Sequence, residues 1–179
     1  LIVTFCRRCS RKVEKDIYDS GYRNDYGEGS LKIKGDKMAY FFTSDEHYGH
    51  EKIIEYCNRP FNSVEEMDDT LIERHNSLVG KDDVVIHAGD FCFESKEKTW
   101  EYIKKLNGEH IFLKGSHDSW LKKGDYIWEK KIEGIYIVVC HYPMQLWARS
   151  HFGSWQLFGH THGNKDNLIL KNQLNIGVD

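Results

Sequence analysis

At 179 residues, with 40% hydrophobic and 30% charged residues, the chain has the make-up of one soluble globular domain large enough to bury a core. A net charge of −3 argues against a surface built for long polyanions. No apolar run approaches the roughly 20 residues that span a bilayer, and Cys6-Arg7-Arg8 interrupts the apolar start before a signal-peptide core forms, so a cytoplasmic protein with no membrane partner is expected.

Residues 1–37 are charged and rich in Gly, Tyr and Asp, with no sustained period of 2 or 3.6; they read as an N-terminal extension preceding a domain of residues 38–179. The pair Cys6-x-x-Cys9 has no second Cys or His pair nearby and so does not make a zinc site. Five cysteines in all is an odd number, unlike a secreted disulfide framework, and Cys140 reads as a small buried hydrophobe. Residues 39–44 read as a buried strand and residues 51–57 as a short helix closed by Asn58-Arg59-Pro60. Ser63-Val64-Glu65-Glu66 is a capping box opening a helix that runs to Gly80. Residues 84–86 form a strand, 96–106 a helix with Trp100, Ile103 and Leu106 on one face, and 111–113 another strand. Residues 126–132 and 135–140 flank a hairpin turn at Glu133-Gly134; residues 155–158 and 168–170 are the last clear strands. Strands that alternate with helices early and follow each other later predict an α/β domain.

Each of five strands ends in carboxylate or imidazole. The blocks are Asp45-Glu46-His47, Gly89-Asp90, Gly115-Ser116-His117-Asp118, His141 and Gly159-His160-Thr161-His162. Carboxyl ends of parallel strands share one rim, where ligands bind. Mixed Asp oxygen and His nitrogen donors without thiolate suit Mn²⁺, Fe or Zn²⁺ better than a structural Cys site or a calcium cage. A single His at a strand end is ordinarily an unremarkable polar residue; five such blocks in succession are hard to assign to coincidence.

From residue 38 onward the chain resembles the calcineurin-like metallophosphoesterases, matching their D-x-H, G-D, G-N-H-[DE], H and G-H-x-H blocks in order. It is most similar to a small prokaryotic and phage branch that opens S-D-x-H-x-G-H, here residues 44–50, and carries N-R-P-F, here Asn58-Arg59-Pro60-Phe61. The resemblance implies a four-layer αββα sandwich of two mixed sheets. It also implies two divalent ions, manganese first, with iron, zinc or nickel as alternatives. By motif, Asp45, His47 and His162 hold one ion, Asp90 bridges, and His141 and His160 hold the other. A bridging carboxylate suits ions about 3.5–4 Å apart. The implied reaction is hydrolysis of a phosphomonoester or phosphodiester of a small phosphorylated substrate through a metal-bridging hydroxide. His117 is placed as proton donor to the leaving oxygen, a role imidazole suits near neutral pH. Many relatives orient that His with an Asp three residues after the bridging Asp; here the place is Phe93, leaving Glu94 or Asp118 as substitutes.

In the third block Ser116 stands where the family pattern has Asn, so the second ion is expected to bind more weakly. His50 and Arg59 fall in segments the branch shares and are expected to bind substrate, Arg59 as a bidentate phosphate ligand. His75 is expected at the surface and His87 as a packed core residue, while His110 and His151 have no supporting neighbours. Trp147, Phe152 and Trp155 flank the last two blocks and are expected to pack in the core rather than line a pocket.

Relatives commonly begin near Met38, so residues 1–37 are expected to be an over-extended translation or a loosely attached tail. Relatives usually continue past residues 175–179, so truncation is expected there. Two rivals to the enzyme are a binding scaffold that has lost catalysis and a nuclease acting on nucleic acid. Retention of Asp45, His47, Asp90, His141, His160 and His162, six of the seven expected ligand positions, weighs against the first. The absence of a basic surplus weighs against the second.

Overall fold

A computed structural model describes residues 3–4 (backbone only), 38–163 and 170–179. In chain order the elements are β1 (Val3–Thr4), β2 (Tyr40–Thr43), α1 (Glu51–Tyr56), α2 (Val64–Leu78), β3 (Val84–His87), α3 (Lys96–Ile103), β4 (Glu109–Phe112), β5 (Ile127–Ile132), β6 (Ile135–Cys140), a 3₁₀ turn (Ser150–Phe152), β7 (Trp155–Phe158) and β8 (Gln173–Asn175). They form two four-stranded sheets of order β1-β2-β3-β4 and β5-β6-β7-β8. In the first, β2, β3 and β4 are parallel and β1 antiparallel; in the second, β6, β7 and β8 are parallel and β5 antiparallel. Both sheets are therefore mixed, and the carboxyl ends of six strands converge on one rim. The sheets are tied there by a parallel bridge between Ser44 and Gly177.

Strand alternation sorts the core. Phe42, Val84 and Ile86 on the first sheet pack against Ile137, Val139 and Leu157 on the second. The opposite face of the first sheet meets the helices, where Tyr48, Phe91, Leu106 and Trp120 cluster with Leu71, Ile72 and Tyr102. Outside the second sheet, Arg149 lies over the Tyr136 ring and Gln156 donates to the carbonyl of Tyr142, so residues 142–152 cover it. This is the αββα sandwich, its second outer layer reduced among the described residues to that segment and its 3₁₀ turn. Among the described residues no helix is long and apolar enough to cross a membrane.

Local chemistry sets the boundaries. Ser63 accepts from the Glu66 N–H and caps α2, while the Glu66 carboxylate reaches back to the Asn62 N–H. Helix α3 stops short of residue 106 because Lys105 and Leu106 bond the carbonyls three residues back, a tightening that ends many helices. Trp100, expected inside, is 47% exposed. The β5–β6 turn holds Glu133 and Gly134 at φ 48° and 94°, the positive pair that a two-residue hairpin favours. Residues 168 and 169 of the strand expected at 168–170 lie outside the described residues. The closing strand is β8, which places Gln173 beside Gln156. Cys6 and Cys9 also lie outside the described residues; Val3–Thr4 pairs with Phe41–Phe42.

Candidate metal centre

Past each strand end the chain must turn sharply to present its polar block. Asp45, His47, Asp90, His160 and His162 all sit at positive φ, between 46° and 68°. Asp and His tolerate this region better than most residues, yet each such position costs about 1–3 kcal/mol and persists only where surroundings enforce it. Five of the six expected ligands share this strain. Close packing enforces it: a Cβ at Gly115 would overlap the Asp90 carboxylate, and one at Gly159 the Asp45 carboxylate.

Two groups of donor atoms result, each within 4.8 Å of one another: Asp45, His47 and His162, and Asp90, His141 and His160. Asp90 Oδ2 lies between them, 3.8 Å from His47 Nε2 and 3.2 Å from His141 Nε2. Both nitrogens are buried and neither has a hydrogen-bond partner, a costly arrangement for polar atoms unless a ligand satisfies them. Their other ring nitrogens are engaged, His141 Nδ1 with the Ala88 carbonyl at 3.0 Å and His47 Nδ1 with His50 Nδ1 at 3.3 Å. The donor set thus fits divalent cations: mixed oxygen and nitrogen, with the buried, unpartnered nitrogens of His47 and His141 facing a shared carboxylate oxygen.

Burial pushes the Asp45 carboxyl up to about 6, against the opposing pull of His141 and His162. At Asp90 burial pushes the same way but loses: the close His141 imidazole, the His117 N–H and His47 hold that carboxyl well below its ordinary range. His47 is driven down to about 3, chiefly by burial, so at neutral pH it offers a lone pair. His160 is lowered by burial and by His141. His162 is raised, first by its bond to Asp179. His141, which burial lowers, is raised overall by Asp90.

Several residues brace this centre. Asp118 is fully engaged: Oδ2 accepts from the N–H groups of Asp90 and Gly115, and Oδ1 from Phe91 and Trp120. It pins the second and third blocks together and does not orient His117; Glu94 pairs instead with Lys98. Arg59, expected against phosphate, is buried among protein groups. It binds Asp179 through Nε and Nη2 and the carbonyls of Glu46 and Asp45 through Nη1 and Nη2. No signal short of the fold itself predicts that partnership. Glu46 turns away from the ions to meet His87 Nδ1 at 2.6 Å. Burial pushes Glu46 up to about 7 and His87 down to about 3, each toward its uncharged form.

Ser116 Oγ donates to Asp90 Oδ2 at 3.0 Å, and the His117 N–H donates to Asp90 Oδ1 at 2.8 Å. The His117 ring is exposed and stands beside those of His47 and Phe93. An open groove of about 710 Å³ fronts the centre, lined by His47, His50, Lys52, Tyr56, Phe93, His117 and His162 among others. His50 stacks on Phe93 with ring centroids 4.1 Å apart. Three expectations are corrected here. His75 is not at the surface: it is buried and bonded to the Asn107 carbonyl. His110 has neighbours in His87 and His75. Phe152 is 88% exposed and fills neither core nor groove; Trp147 and Trp155 are half-buried, and His151 is exposed.

No protein-family model matches the chain. It is 36% identical over 126 residues to uncharacterized protein MJ1445 of Methanocaldococcus jannaschii, covering 69% of each protein. It is 37% identical over 81 residues to the Gene 66 protein of Mycobacterium phage L5, a match spanning 44% of this chain and 39% of the phage protein. Among solved structures it is similar in fold to a protein of unknown function, AQ665 from Aquifex aeolicus. The TM-score is 0.62 at 22% identity, covering 78% of this chain and 89% of that one.

Proposed function

Because the chain belongs to the family of the archaeal MJ1445 protein and, by its fold and ordered Asp and His blocks, to the calcineurin-like metallophosphoesterase superfamily, we propose that it is a divalent-metal-dependent hydrolase of phosphomonoesters or phosphodiesters. The observation that carries this reading is the pair of buried, unpartnered nitrogens, His47 Nε2 and His141 Nε2, facing one oxygen of Asp90. Asp45, His47 and His162 would hold one ion, His141 and His160 the other, with Asp90 between them; Mn²⁺ is the first choice. Bound there, such ions supply an activated water and neutralise phosphate oxygens.

The chain's own residues do the rest. Asp90 stays ionised because His141 and the His117 N–H oppose protonation. His47 and His160 stay neutral because burial disfavours their cations. His117, exposed at the groove floor, donates a proton to the departing alkoxide oxygen. His50 and Lys52 line the groove where a small phosphorylated substrate enters. The test is turnover of p-nitrophenyl phosphate, bis-p-nitrophenyl phosphate, cyclic nucleotides and a short oligonucleotide, with and without Mn²⁺. Manganese-dependent hydrolysis of the small esters is expected. Metal bound without turnover of any of them would overturn the hydrolase in favour of a binding scaffold, and turnover of the oligonucleotide alone would mark a nuclease.

A further inference from the structure

We propose that Arg59 and Asp179 form a positioning pair that sets the geometry of the first ion site through His162; the inference rests on the metal-centre reading above. Asp179 Oδ2 meets His162 Nδ1 at 2.5 Å. That contact fixes the imidazole proton on Nδ1 and leaves Nε2, 3.9 Å from Asp45 Oδ1, as the lone-pair donor. A carboxylate behind a ligating histidine orients the ring and raises its basicity.

Arg59 holds that carboxylate in place with a two-point grip, Nε to Oδ1 at 2.6 Å and Nη2 to Oδ2 at 3.1 Å. The same guanidinium reaches the carbonyls of Glu46 and Asp45 at 2.9 and 2.7 Å. One planar group therefore ties the Asp45-x-His47 turn, which follows β2 in the first sheet, to the His162 turn, which follows β7 in the second. Those turns carry positive φ at Asp45, His47 and His162, so each must be held against relaxation. Both side chains are buried, Arg59 at 5% and Asp179 at 8% exposure. A lysine offers a point charge and cannot serve a carboxylate and two carbonyls in one plane.

Cys57 Sγ also comes within ligand range of His162 and Asp179. A third ion there would have to sit beside the guanidinium that already occupies both Asp179 oxygens. Charge repulsion disfavours that, so the group is a support and not a further metal site.

The experiment titrates Mn²⁺ into the full chain by calorimetry and counts bound ions by electron paramagnetic resonance, for wild type, Asp179→Asn and Arg59→Lys. Wild type should bind two ions. In both variants one ion should weaken by about 10–100-fold, the scale of losing a support behind a metal ligand, and the other should keep its affinity. The coupled two-ion signal should give way to a single-ion one at limiting metal. Two ions bound by both variants with wild-type affinity would overturn the pairing while leaving the metal centre intact. Equal weakening of both ions, or metal-free variants that fail to fold, would also overturn it in favour of a general structural role. Wild type that binds no Mn²⁺ would overturn the metal-centre reading itself.

Discussion

Asp45 and Asp90 are both buried carboxylates just past the ends of parallel strands, yet burial prevails at one and is overcome at the other. Asp45 accepts the His160 N–H, shared between its two oxygens at 3.0 Å each, and its carboxyl is pushed up to about 6. Asp90 accepts from Ser116 Oγ and the His117 N–H and faces His141, and it is held ionised. Asp90 therefore keeps its charge into acid, whereas Asp45 takes up a proton as pH falls through about 6. The bracing of the two halves of the centre differs too. His141 leans on main chain, while His47 and His162 lean on the side chains of His50 and Asp179. Preorganisation by backbone is hard to lose to a point mutation; preorganisation by side chains is not.

Breaking the shared element has the largest effect. Asp90→Asn should lose both ions together and lower turnover on the order of a thousandfold, the scale of removing a main stabiliser of transition-state charge; retention of one tightly bound ion, read by calorimetry, would show that the halves are independent. The proton exchange at Asp45 comes next. Affinity for the first ion should fall about tenfold for each pH unit below about 6 as Asp45 takes up its proton. The linked stability runs the other way. An acid whose folded pKa is raised is favourable to the fold below its unfolded value, so metal-free protein should lose that contribution as pH rises from about 4 through about 6. Thermal melts across that range, compared with Asp45→Asn, check the sign. His50→Ala removes the support behind His47 and should weaken the first ion alone by about tenfold; Mn²⁺ titration reads it. Ser116→Asn sharpens the other side. An amide oxygen reaching past the hydroxyl's present position should tighten the second ion by about tenfold or less, and unchanged occupancy and rate at limiting metal would show that Ser116 already serves.

The fold and the centre's membership were legible from local pattern. Strand and helix periods located β2, β3, α2 and the β5–β6 hairpin within a residue or two, and the blocks that follow the strands mark the residues that come together. What was not legible depends on separation in sequence. Arg59 and Asp179 are 120 residues apart, and nothing near either announces the other; Arg59 read as a phosphate contact and Asp179 drew no reading. His75 and His110 failed for a related reason. A histidine amid charged helix neighbours looks exposed, and only the packing of α2 against the first sheet buries it beside His87. Asp118 was misread because a carboxylate next to His117 suggests a partner for its ring, whereas its oxygens go to main-chain N–H groups and Trp120. β8 was not singled out because its Gln-Leu-Asn sequence lacks the apolar run that marks the others.

The long reach from Asp45 to the His160 main chain, 115 residues on, also orders events during synthesis. Contacts of such separation close late, and a chain emerging from the ribosome at about 5–20 residues per second has its first sheet available well before β7 and β8 exist. Each donor set needs a residue of the block after β7, His162 for one and His160 for the other, so neither is complete until the second sheet has emerged.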